Sequence, residues 1–168
     1  MRKLCTLVVA LLTAFTTLSA SNYEHSLGLV AGLGIGVQYK TMVLPNFTII
    51  EEFGYFTCTS NWGYGGAIDN LVLAYQGKGV SGQNIQLDWY AGGQIKAGYA
   101  AGDMGLVGVG GAVGFEANMT NAPIAFSFDF RPGYGCLFAG GVAHLFDYSF
   151  NLGVRYTFPA GKAAAKKK

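Results

Sequence analysis

Residues 84–99 read NIQLDWYAGGQIKAGY, and their two parities differ in character. Ile85, Leu87, Trp89, Ala91, Gly93, Ile95, Ala97 and Tyr99 are apolar or small, whereas Asn84, Gln86, Asp88, Tyr90, Gly92, Gln94, Lys96 and Gly98 are mostly polar or small. Successive side chains of a strand point to opposite faces, so a period of two over this length predicts one extended strand with two unlike faces. The same period recurs near the end, where Tyr148, Phe150, Leu152, Val154, Tyr156 and Phe158 alternate with Ser149, Asn151, Gly153, Arg155 and Thr157. It recurs in 124–131, with Ile124, Phe126, Phe128 and Phe130 on one parity, and in 27–40, where Leu27, Leu29, Ala31, Leu33, Ile35, Val37 and Tyr39 alternate with glycine, Val30, Gln38 and Lys40.

The composition fits this pattern and excludes others. A chain of 168 residues is one domain by prior. Asp, Glu, Lys and Arg make up 12% of it, about half the ~25% of soluble domains. Its 12 Phe and 10 Tyr argue against disorder, and no basic surface stands out for a nucleic acid.

The N-terminus predicts export. Met1-Arg2-Lys3 is a basic leader, 4–15 is apolar and uncharged, and Leu18-Ser19-Ala20 ends on a small residue suited to signal peptidase. We therefore expect a cleavable signal peptide at 1–20; the apolar core is shorter than the ~20 residues a spanning anchor needs. Removing Arg2 and Lys3 leaves 9 basic against 9 acidic residues. Four of those basics, Lys162, Lys166, Lys167 and Lys168, lie in a terminal segment, 159–168, expected to be a disordered basic periplasmic tail. Beyond the leader no run of 18 apolar residues occurs, so no spanning helix is expected.

A soluble β-sandwich also alternates, but its strands average about 5 to 6 residues and its outer face is charged. Here the strands are longer and the non-apolar parity is Gly, Ser, Gln and Asn with scattered charges. That is the inverted pattern of an outer-membrane barrel, apolar toward lipid and small or polar toward the interior. At about 9 to 11 residues per spanning strand, the expected fold is all-β, an eight-stranded antiparallel up-and-down transmembrane barrel over 21–158. Seven strands are drawn directly, at 34–41, 47–57, 67–78, 84–99, 105–118, 124–137 and 147–158. Even parity requires an eighth, and 26–32 pairing with 34–41 across a tight glycine bend supplies it, unless 27–40 is one long strand. Segments 41–46, 79–83 and 119–123 read as short periplasmic turns, and 58–66 and 138–146 as longer outer loops. Tyr39, Tyr75, Trp89, Phe115 and Tyr156 would form the inner aromatic girdle, and Tyr55, Tyr99, Tyr134 and Tyr148 the outer one.

Several segments carry a resemblance: Gly36-Val37-Gln38-Tyr39-Lys40, Leu87-Asp88-Trp89-Tyr90-Ala91-Gly92-Gly93, Gly114-Phe115-Glu116 followed by Ala122-Pro123-Ile124, Phe128-Asp129-Phe130-Arg131-Pro132, and Leu152-Gly153-Val154-Arg155-Tyr156-Thr157-Phe158. Together they resemble small outer-membrane β-barrel proteins of Bacteroidota-type bacteria, of OmpX or OmpA-barrel size, over most of the mature chain. The resemblance implies a barrel without an assigned activity. It also implies that Tyr156 and Phe158 form the signal read by the barrel-assembly machinery, although this chain continues ten residues past Phe158.

The inward parity places Lys40, Lys78, Lys96, Arg131 and Arg155 in the lumen with Asp88, Glu116, Asp129 and one of Glu51 or Glu52. The strand holding those two glutamates does not alternate cleanly. Desolvated charges are costly unless paired, so near-balance predicts a closed charge network and a plugged lumen. A narrow, porin-like passive channel is the alternative.

Catalytic readings are weaker. Gly77-Lys78-Gly79-Val80-Ser81-Gly82 matches G-x-G-x-x-G, but that motif needs a following helix, and an alternating strand follows. His144 with Asp147 and Ser149 is the one candidate for a lipid-modifying rim enzyme. No catalytic, metal or cofactor site is expected. Cys58 and Cys136 would lie on opposite walls, too far apart to bond unless the loops fold inward. The expected role is structural or an interaction through the outer loops; 59–66 has the aromatic content of a binding tip, and Trp62 reads equally as a girdle residue. The expected partners are outer-membrane lipids, with the assembly machinery and periplasmic chaperones during biogenesis, and no nucleic acid. The chain is expected to be a monomer in the cell outer membrane.

Overall fold

A computed structural model describes residues 23–32, 34–57, 65–100, 104–138 and 140–159. Eight strands follow in chain order: β1 (Tyr23–Ala31), β2 (Gly34–Leu44), β3 (Phe47–Thr57), β4 (Gly65–Ser81), β5 (Ile85–Ala100), β6 (Met104–Met119), β7 (Ile124–Phe138) and β8 (Val142–Pro159). Each pairs antiparallel with its sequence neighbour, and β1 pairs with β8, so the sheet closes as an up-and-down barrel. Closure removes the unpaired edges that an open sheet of this length would expose.

The tight glycine bend is present. Ser26 lies opposite Lys40 and Ala31 opposite Ile35, so 27–40 is a hairpin and not one long strand. The signal peptide expected at 1–20, Cys58, Trp62 and most of the loop 59–66, and the tail beyond Pro159 lie outside the described residues.

The expected outer loop at 138–146 is corrected. Phe138 pairs with Val142, and β7 and β8 continue as a ladder through Cys136–His144 and Gly135–Leu145. Only 139–141 connect them, with Gly140 at φ +73°, where glycine alone is unstrained. An Ala-Gly-Gly run between two apolar segments is a hairpin signal of the three-residue type. Two residues separate β1 from β2, three separate β5 from β6 and β7 from β8, and seven separate β3 from β4.

The wall has uneven height. β1, β2 and β3 have 9, 11 and 11 residues, whereas β4 to β8 have 15 to 18. β1 reaches only Leu152 of β8, so Val142 to Asn151 pair with β7 alone.

Burial is inverted relative to a soluble domain. Among the described residues, sixteen polar or charged side chains are buried and only nine apolar ones, while thirty-three large apolar or aromatic residues are exposed. Leu29, Ile35, Phe53, Phe128, Phe150, Leu152 and Val154 all point outward. Two carboxylates, Glu51 and Asp69, interrupt that face on β3 and β4.

Candidate functional site

The polar lumen is organised around Glu116 on β6, which is fully buried. Lys40 donates to its Oε2 at 2.7 Å, Arg155 donates to the same oxygen, and the Tyr23 hydroxyl donates to Oε1 at 2.5 Å. Arg155 reaches on to Gln38 and to Ser127 Oγ at 3.2 Å. Lys40 also sits 5.6 Å from the ring centroids of both Tyr23 and Tyr90, a distance at which a cation is attracted to a ring face. Two cations on one carboxylate bring β2, β6 and β8 together across the lumen.

A second cluster centres on Arg131 of β7. Its guanidinium grips Glu52 through two parallel bonds, Nη1 to Oε2 at 2.5 Å and Nη2 to Oε1 at 2.6 Å. It also holds Asp129, with Nη2 to Oδ2 at 2.8 Å and Nε 2.8 Å from Oδ1. Asp129 further accepts from the Tyr90 hydroxyl at 2.5 Å and from Asn151 at 2.8 Å. Gln38 donates to Glu52, joining the two clusters. Forked pairing of this kind is the strong, geometrically specific form of a charge-assisted bond.

These contacts decide between the two glutamates. Gln38 faces Glu52 in register, so Glu52 turns inward and Glu51 outward. Sequence parity was masked here because the inward face of β3 and β4 carries Ile50, Val72 and Ala74, which pack with Tyr90 and Ala112 as a small apolar cluster inside the barrel.

Seven of the eight charged residues named from parity are buried: Lys40, Asp88, Lys96, Glu116, Asp129, Arg131 and Arg155. Lys78 is the correction. It lies opposite Asp88 in register but at the termini-end mouth, where it is exposed, and it makes no ion pair among the described residues. Asp88 instead accepts from Gln86 at 2.9 Å and Asn118 at 3.1 Å. Lys96 pairs with Asp147, a partner that sequence reasoning placed at the start of its last strand and considered only for catalysis. Parity carried back from Asn151 and Ser149 marks Asp147 as inward.

Tyr156 and Phe158 are exposed on the outer face near the end of β8, with ring centroids 5.2 Å apart. The rim-enzyme trio is not assembled. His144 points outward, stacked on Tyr134 with its Nδ1 2.7 Å from the Tyr134 hydroxyl and 3.5 Å from Cys136 Sγ. Asp147 and Ser149 lie on the opposite parity. The G-x-G-x-x-G segment ends β4 and turns into β5 with no helix. Gly77 there leaves room for the Trp89 indole, which a Cβ would approach to 2.4 Å. Among the described residues no three His, Cys, Asp or Glu groups are placed to hold a metal ion, and Cys136 is a free thiol.

Family models, curated proteins and solved structures give no match to the chain, so its role is read from its own side chains.

Proposed function

We propose that the chain is an outer-membrane β-barrel protein of a Gram-negative cell, a small barrel of the kind its segments resemble, exported by a signal peptide at 1–20. In this reading it is a monomer with a sealed lumen and a structural or loop-mediated interaction role, not an enzyme. The inverted burial carries the reading. A closed barrel whose outer wall is Leu, Val, Ile and Phe, and whose interior is Glu, Arg, Lys and Gln, has its hydrophobic surface facing the solvent side. Hydrocarbon is the medium in which that arrangement is favourable.

The sealed lumen is supported by the two joined clusters. Buried cations Lys40, Arg131 and Arg155 each bind a carboxylate, and their side chains cross the interior from β2, β7 and β8. An eight-stranded barrel is just wide enough for side chains to fill it. An ion passing through would have to displace these pairs at the cost of leaving charges unpaired.

Membrane fractionation of cells expressing the full chain tests the location. Recovery in the outer-membrane fraction, with folded and heat-denatured forms migrating differently on a gel, is expected. Recovery as a folded species in the detergent-free soluble fraction would overturn the reading. In planar bilayers the purified barrel is expected to give no steady conductance, and a stable open level would remove the seal.

A further inference from the structure

We infer that the far half of the lumen is a binding pocket for a small uncharged amphiphile. The polar clusters fill the half nearer the termini, but above them a cavity of about 260 Å³ remains. That is larger than the ~150 Å³ void that accepts benzene and just below the ~300 Å³ at which drug-sized pockets begin. It therefore suits a molecule of one or two rings or an equivalent short chain.

Most of the lining surface is apolar, with charged and polar side chains such as Glu52, Lys96, Asp147 and Asn151 set into it. Val30, Ile68, Leu106 and Leu137 line the walls, and Gly36 and Gly54, paired across β2 and β3, leave the wall there as bare backbone. Two polar side chains in the lining are uncommitted. Gln94 is 6% exposed and Asn70 is half-buried, and neither carboxamide has a hydrogen-bond partner among the described residues. Each carboxamide borders the cavity and offers both donors and an acceptor. They lie on adjacent strands, since Val72 faces Gln94 and Asn70 faces Lys96.

Each charged side chain around the pocket already has an ion-pair partner, Asp147 through one of its two oxygens. Arg131 holds Glu52 and Asp129, and Lys96 holds Asp147. A charged ligand would arrive without a counter-ion, so the pocket selects a neutral polar end such as an amide or hydroxyl. Access follows from the uneven wall. Where β1 stops at Ala31 and β8 runs on paired with β7 only, Ile35 and Phe146 border the cavity, giving an apolar side approach for the ligand body.

The pocket opens through the outer wall, where the outward-facing Ile35, Phe53, Tyr55 and Phe146 line it, so the inference rests on the membrane-embedded barrel proposed above. The test is equilibrium dialysis of 2-naphthamide against the mature barrel in phosphatidylcholine nanodiscs, with empty discs measuring lipid partition and heat-modifiable migration confirming each variant is folded. Saturable one-to-one binding is expected, with 2-naphthoate about tenfold weaker or worse. Gln94→Leu is expected to weaken the amide about tenfold while leaving naphthalene uptake unchanged. Ile68→Trp, which fills the cavity, is expected to abolish both. Uptake equal to that of empty discs, or saturable binding unchanged by the folded Gln94→Leu and Ile68→Trp proteins, overturns the proposal.

Discussion

Gly114 faces Tyr90 across the β5–β6 ladder, and the tyrosine ring occupies the volume that a side chain at 114 would need. A Cβ there would lie 2.7 Å from Tyr90 Cζ and 2.8 Å from the Phe128 carbonyl oxygen. The ring could move but the backbone could not. Gly114→Val is therefore expected to destabilise the barrel by about 1 to 3 kcal/mol through overpacking. Tyr90→Phe, which only removes the hydroxyl bonded to Asp129, should cost about 1 to 2 kcal/mol. Urea unfolding in lipid vesicles measures both, and a neutral Gly114→Val would show that the lumen is looser than described.

Glu116 anchors two buried cations, so its loss should exceed that of any single partner. Glu116→Gln is expected to cost about 3 to 5 kcal/mol, because Lys40 and Arg155 are left without their shared carboxylate. Adding Lys40→Met to Glu116→Gln should recover part of that loss, giving a coupling energy well above the ~0.5 kcal/mol scatter of independent sites. Additive effects in the double-mutant cycle would separate the two residues.

Neighbouring glutamates on β3 should behave oppositely. Glu52→Leu removes one of the two carboxylates on Arg131 and should destabilise by about 3 kcal/mol. Glu51→Leu replaces an outward carboxylate on an apolar wall and should stabilise the barrel in lipid by about 1 kcal/mol. Equal losses for the two substitutions would contradict the assigned register.

Trp89 lies over Gly77 on the outer wall. Gly77→Val should displace the indole, shifting the emission and dibromolipid quenching of Trp89 measured in a Trp62→Phe background, with a stability loss of about 1 kcal/mol. An unchanged spectrum would mean that the indole does not rest there.

Strand identity was legible because β5, β7 and β8 have nearly uninterrupted alternation, and the eighth strand followed from counting ends. The inward positions of Lys40, Glu116 and Arg155 were legible for the same reason. What parity could not supply was partnership. Glu116 meets Lys40 and Arg155 from strands far apart in sequence, and only barrel closure sets which inward residues share a level. The β3 register was obscured because Ile50 is inward and apolar, and the β7–β8 hairpin because 138–146 read as one of the longer outer loops. The uncommitted Gln94 carried no signal at all, since a glutamine on the lumen parity reads the same with or without a partner.

The central claim is that one parity of every strand meets hydrocarbon. Nitroxide labels placed singly at Phe128, Phe150, Leu152 and Val154 in the lipid-reconstituted barrel test it most directly by power saturation with oxygen and with a polar nickel chelate. High oxygen and low nickel accessibility at all four positions is the predicted result. High nickel accessibility throughout would place that wall in water and contradict the account.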